Sequence, residues 1–374
     1  MTDREAYIIL NLLSGIGPAR LATLLSVCGS PSEIFACQER ALAGIPGIGP
    51  MLADKIAHWE RTVHLSKELE LAERGGVHII TRGEEDYPEL LSTIHDAPIC
   101  LYVRGQIPES ISCRSLAVVG TRNMTSYGQR MAQHLSEAAA FAGFTVVSGL
   151  AYGVDAVAHR AALNAGGLSV SVLGGGLARI QPQDHVPLAR EISEHGAVIS
   201  EFPMEFSPTR HSFPMRNRII SGLSKATLVI EAGLNSGSLI TASFAIEQGR
   251  TVFAVPGQAD NPQAAGCNQL IRQNAVLVEK FDHILEEFDF LPGFASSSQI
   301  QEEKEETALF DDADDSSISS ESAKILAFLI KGDASVDDIA GAVDLPASEV
   351  ISCLIGLELL RKVKKSGNLY HRLR

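Results

Sequence analysis

Between residues 115 and 280 the chain alternates short apolar runs with longer stretches of helical periodicity. The runs are Leu116–Val119, Phe144–Val147, Ser169–Leu173, Ala197–Ser200, Thr227–Ile230, Val252–Val255 and Ala275–Val278. Continuous β-branched runs without polar alternation suit parallel strands covered on both faces. Helical patterns at Tyr127–Phe141, Val154–Asn164 and Ser238–Gln248 fall between them. The pattern predicts an α/β domain with a Rossmann-like, doubly wound parallel sheet over residues 111–290.

Other patterns flank this core. Gly-Ile-Gly-Pro occurs twice, at Gly15–Pro18 ahead of the run Leu21–Val27 and at Gly47–Pro50 ahead of Leu52–Trp59. That repetition predicts an N-terminal helix-hairpin-helix (SAM-like) domain over 1–75. Its turns either face phosphates with their N–H groups or serve only as tight αα-turns. Strand-like runs at Val77–Thr81 and Ile99–Val103 make 76–110 an extension packed on the core. Residues 291–321 read as an acidic disordered linker. Residues 322–374 read as a winged-helix domain, with helices at Ala323–Ile330, Val336–Ala342 and Ala347–Leu360 and a hairpin turning at Ser366-Gly-Asn368.

Charge sharpens the division. The 374 residues carry a formal charge of −14, but 300–321 hold nine acids against Lys304 alone, so the whole-chain balance says little about what the folded parts bind. The six cysteines are scattered without a C-x-x-C pair, and the histidines form no H-E-x-x-H, which argues against a disulfide frame or a metal site. The acidic start and the lack of a long apolar stretch predict a cytoplasmic protein without a membrane span.

Candidate chemistry gathers just after the strands, where open α/β sheets bind ligands. Gly120-Thr-Arg122 resembles a phosphate-cradling turn, yet it lacks both G-x-G-x-x-G spacing and a P-loop Lys, so no cofactor is expected. Ser148-Gly149 opens the helix of Asp155 and His159, whose i, i+4 spacing allows a base–carboxylate pair. The plainer reading has Asp155 at the helix N-terminus and His159 packed inside. Arg210, Phe213, Arg216, Asn217, Arg218 and Lys225 form the densest positive segment, free of acids from Phe206 through Ile230. Arginines beside an aromatic suit a single-stranded nucleic acid: charge tracks phosphates and rings stack on bases. Of Arg216 and Arg218, one is expected to be structural and the other to face ligand. Ser236, Gly237 and Ser238 open another helix and offer donors to a second anion.

Together V-V-G-T-R, S-G-L-A-Y-G-V-D-A-V-A-H, V-L-G-G-G-L, F-P-M-R-N-R-I-I-S-G-L-S, E-A-G-L-N-S-G-S-L-I-T-A, E-Q-G-R and V-F-A-V-P-G resemble the DNA-processing protein A family (DprA, also called Smf) over about residues 115–280. The resemblance implies a bacterial protein that binds incoming single-stranded DNA in natural transformation, loads the RecA recombinase and forms a homodimer through the α/β domain. It implies DNA contact by Arg122 and the Phe213–Arg218 segment. The chain departs from the family pattern at Ala178–Gln183 and at Gly266-Cys-Asn268.

Two rival readings carry less. A nucleotide phosphoribohydrolase-like enzyme shares the architecture, but Thr241 stands where its G-G-x-G-T-x-x-E pattern places Glu. A transcriptional regulator needs donors on the third tail helix, and Ala347–Leu360 has Glu349 and Glu358 with no Lys or Arg.

Overall fold

The computed structural model describes residues 1–289 and, with gaps, 320–372. The first unit, Met1–Ser296, and the second, Ser297–Arg374, are compact separately. Most of the predicted acidic linker, residues 291–319, lies outside the described residues.

The N-terminal helices are α1 (Asp3–Leu12), α2 (Pro18–Cys28), α3 (Pro31–Ala36), α4 (Glu39–Ala43), α5 (Gly49–Ala57) and α6 (Leu65–Arg74). Their starts follow from local chemistry. Thr2 with Glu5 and Ser30 with Glu33 form reciprocal capping boxes, and Pro18, Pro31 and Pro50 sit in first turns, where no N–H is needed. Gly15 (φ 98°) and Gly47 (φ 82°) supply the left-handed backbone of the two hairpin turns. Arg20 ties those turns together, donating to the carbonyls of Gly15 and Gly47. Leu21, Leu24, Ile34, Leu42 and Ile56 form a core that continues without a break through Val77, Tyr102 and Val198 of the sheet.

The remainder of the first unit is β1 (Val77–Thr81), α7 (Glu89–Ser92), β2 (Cys100–Gly105), β3 (Ser115–Val119), α8 (Ser126–Phe141), β4 (Thr145–Ser148), α9 (Val154–Asn164), β5 (Ser169–Val172), α10 (Val186–Glu194), β6 (Gly196–Ser200), α11 (Ser212–Gly222), β7 (Ala226–Val229), α12 (Gly237–Glu247), β8 (Thr251–Ala254), α13 (Ala265–Arg272), β9 (Val276–Leu277) and α14 (Asp282–Asp289). The nine strands run in the order β1-β2-β6-β5-β4-β3-β7-β8-β9. From β6 to β9 every neighbouring pair is parallel. All five residues of β3 are buried, yet the pleat still sorts them. Leu116 and Val118 join one layer with Leu135, Phe144 and Phe253, while Ala117 and Val119 join the other with Val172, Ile219 and Ala242.

The 76–110 segment does more than pack on the core. β1 and β2 pair antiparallel, and β2 continues the sheet antiparallel to β6, with Tyr102 opposite Ser200. The second unit contains α15 (Ser320–Leu329), β10 (Ala334–Ser335), α16 (Val336–Val343), β11 (Val363–Ser366) and β12 (Leu369–Arg372). Ser335 accepts from the Asp338 N–H and caps α16, and β11 and β12 pair as an antiparallel hairpin. Ile325, Leu329, Ile339, Leu354 and Tyr370 give this unit its own core.

Candidate anion-binding site

Strand order reverses at β3: β4 lies on one side and β7, reached after β6, on the other. Ligands of open α/β sheets sit outside the carboxyl ends of the strands at such a point. Here the point holds a cavity of about 770 Å³. Its walls are Gly120, Thr121 and Arg122 after β3, Arg210, Phe213, Arg216 and Asn217 at the entry of α11, and Ser236, Gly237 and Ser238 at the entry of α12. The topology thus gathers residues from three separate motifs.

The cavity is cationic at two depths. Arg122 and Arg210 are exposed at its mouth, and the Arg122 guanidinium lies 5.6 Å from the centre of the Phe213 ring, a cation–π contact that steadies both flat groups. Arg216 is only 4% exposed. Its guanidinium donates to the carbonyls of Gly149 and Val172, at the carboxyl ends of β4 and β5. Its buried Nε has no hydrogen-bond partner among the described residues. Burial lowers the Arg216 pKa to about 10; Asp155 opposes this fall and the like charge of Arg122 adds to it. The group stays cationic at neutral pH, and an anion held between Arg216 and Arg122 would relieve their repulsion.

Asp155 is buried on the cavity wall. Burial raises its pKa, against the pull of Arg216 and the N–H groups of Ala151 and Gly149. Those N–H groups lie 3.4 and 3.2 Å from its carboxylate, so Asp155 serves the α9 entry. His159 bonds the Ser169 hydroxyl at 2.7 Å, and burial first, then Arg216, His185 and Arg160, drive its pKa down to about 3. The pair therefore adopts the plainer of its two readings.

Four of the candidate residues do not line the cavity. Ser148 is buried and donates to the Val118 carbonyl, so it braces neighbouring strands instead of meeting ligand. Gly149 lies beneath Arg216: a Cβ there would stand 2.5 Å from a guanidinium nitrogen, so the glycine makes room for the arginine. Arg218 is the structural member of its pair. It meets Glu201 through two bonds of 2.9 and 2.7 Å and Asp96 at 2.8 Å. Burial works against its charge, but these carboxylates outweigh it and hold the pKa above the usual value. Lys225 precedes β7, with its N–H on the Ser115 carbonyl, and so sits at the opposite, amino edge of the sheet.

The entry of α8 is already filled by Glu231, whose carboxylate accepts from the Thr125 N–H and hydroxyl, each at 2.8 Å. Gly128 is needed because a Cβ would run into that carboxylate. The open helix entry is instead that of α12, where Ser236 caps the Ser238 N–H. The sequence reading missed Leu234, Asn235, Pro262 and Gln263, which also wall the cavity. Leu234 and Asn235 stand inside a motif already singled out, whereas Pro262 and Gln263 carry no local signal. Asn268, in a departing segment, holds the loop after β8 through paired bonds to the Gly257 N–H and carbonyl at 3.2 and 3.0 Å.

Fold and site define a class: a doubly wound sheet that has replaced a dinucleotide turn with an arginine-lined cavity, beside a helix-hairpin-helix bundle. Residues 78–289 match the model of DNA recombination-mediator protein A, and 8–57 match that of a SAM-like helix-hairpin-helix tandem. Protein Smf of Escherichia coli K12 is 41% identical over 302 residues, covering 79% of this chain and 78% of that protein. The DNA processing protein DprA of Bacillus subtilis is 41% identical over 212 residues, covering 57% of this chain and 71% of its own length. Among solved structures, Streptococcus pneumoniae DprA superposes with a TM-score of 0.66 at 30% identity, covering 78% of this chain and 99% of its own. Helicobacter pylori DprA, described for its single-stranded DNA binding mode, superposes with a TM-score of 0.51 at 26% identity, covering 57% and 96%. The chain belongs to the DNA recombination-mediator protein A family.

Proposed function

We propose that the switch-point cavity binds single-stranded DNA, and that the chain is a DNA-processing protein of natural transformation. It protects incoming strands and passes them to the RecA recombinase, acting in the cytoplasm as a homodimer. The observation that carries the DNA reading is the stacked Arg122 and Phe213 above buried Arg216, facing the open α12 entry. Guanidinium groups and N–H donors suit phosphates, and flat groups at the mouth suit unpaired bases. The single-strand binding described for the Helicobacter pylori relative supports this reading.

Binding without covalent chemistry fits the same residues. The cavity's carboxylate, Asp155, is engaged by two backbone N–H groups, and Thr241 stands where a phosphoribohydrolase would need Glu. The second unit fits a winged helix whose basic hairpin meets phosphates or another protein. No helix among the described residues is long and apolar enough to cross a membrane.

The test is a titration of the full chain with single- and double-stranded oligonucleotides of one sequence at two salt concentrations. The reading expects preference for the single strand and a log–log salt slope of about −2 to −3 for three or four phosphates. Equal affinity for duplex, or a flat salt response, overturns it.

A further inference from the structure

A second cavity, of about 610 Å³, is lined in part by Ser207 and Pro208 of the loop that also carries Arg210. Arg104, Arg179 and Arg190 line it with Gln181, Gln183 and Ser207, and no carboxylate or aromatic ring is among its lining residues. Arg104, half-buried on β2, donates Nε to the Gly75 carbonyl at 2.9 Å. Burial lowers its pKa, and Arg190 lowers it further, so two guanidinium groups repel across this space. Among the described residues neither has a carboxylate within ion-pair distance. Arg179 has Glu205 at 3.7 Å, but Lys67 holds that carboxylate more closely, at 3.0 Å.

Such a lining suits phosphates: it offers planar charged donors and no aromatic ring for a base to stack on. The two cavities are also close. Pro208 lines this one and Arg210 the first, and two residues of chain span at most about 7 Å.

We propose that this cavity is a second phosphate station, which takes the backbone of the DNA strand as it leaves the switch-point cavity. The proposal rests on the DNA reading of the first cavity, and its test is built to fail separately. Labelled single strands of about six and about twenty nucleotides are titrated against the wild-type chain, Arg122→Ala, and the double variant Arg179→Ala/Arg190→Ala. Both replaced arginines are exposed, so the melting temperature should hold. Expected is near-wild-type binding of the short strand by the double variant. The long strand should bind about tenfold or more weakly, with a salt slope shallower by about 1.4 for two lost phosphate contacts.

Unchanged binding of both strands overturns the station, as does an equal loss on both. If tripolyphosphate raises the melting temperature of wild type but not of the double variant, while long-strand affinity is the same for both, the cavity serves a free polyphosphate and the strand path is wrong. Failure of wild type to bind either strand, or of Arg122→Ala to weaken the short one, rejects the first cavity instead.

Discussion

Replacing Arg122 by Ala removes one exposed guanidinium from the mouth of the switch-point cavity and leaves Phe213 without its partner. Because the side chain is exposed and forms no ion pair among the described residues, its loss should cost the fold little. The cost falls on binding. A charge-assisted bond to phosphate contributes about 1.5–3 kcal/mol, which is about tenfold to 150-fold in affinity. Relief of repulsion on Arg216 works the other way, so the lower half of that range is expected. The log–log salt slope should become shallower by about 0.7, the share of one phosphate. Arg122→Lys should restore the slope but only part of the affinity, having charge without the planar fork. Fluorescence anisotropy of a labelled oligonucleotide at several salt concentrations, beside thermal melts, reads all of these. Wild-type affinity in Arg122→Ala would refute the placement of phosphate at this mouth. A large affinity loss with an unchanged slope would refute the charge argument.

Arg218→Met strands Glu201 in a nearly dry site, and breaking a buried pair costs about 3–5 kcal/mol. Its melting temperature should drop by several degrees while oligonucleotide affinity at low temperature stays near wild type; the reverse pattern would make Arg218 a ligand residue. Gly149→Ala should push Arg216 off the Gly149 and Val172 carbonyls and weaken DNA binding. With Arg216→Ala it should be markedly non-additive in a double-mutant cycle, whereas additive losses would show the two residues to be independent. His159 is held neutral in the fold down to about pH 3, while the unfolded chain protonates it near 6.5. The unfolded state therefore binds the extra proton between these values, and stability from His159 falls with falling pH by about 1.4 kcal/mol per unit inside that window. Denaturant melts of wild type and His159→Gln at pH 5 and 7 should show a smaller pH difference in the variant; equal differences would reject the assignment.

Much of the scaffold was legible because it is local. The β-branched runs appear as strands within a residue or two, and Val154–Asn164 is α9 to the residue. What escaped depends on distant parts of the chain. Nothing in Val77–Thr81 or Ile99–Val103 tells that β2 will close against β6, since edge pairing is settled by which strand lies free. The charge segment from Arg210 to Lys225 looked like one patch, but α11 runs through it. Its eleven residues carry the chain about 16 Å, from the carboxyl edge back to the amino edge, and Lys225 goes with it. Arg216 and Arg218, two apart on that helix, point to different sides, which the spacing does predict. It does not predict that both are buried, because that requires the carbonyls after β4 and β5 for one and Glu201 for the other.

Glu231 gives the fold a kind of internal competitor. In a dinucleotide enzyme the first helix entry of the sheet is where pyrophosphate docks, and here a carboxylate belonging to the chain is already seated there. Any nucleotide cofactor approaching α8 would have to displace a group tethered at very high local concentration and enclosed by Gly128. That turn is thereby closed to a competing anion, while the entry of α12 keeps Ser236, Gly237 and Ser238 on the cavity wall. Glu231→Gln keeps the shape but removes the charge, and so turns an occupied seat into a weakly held one.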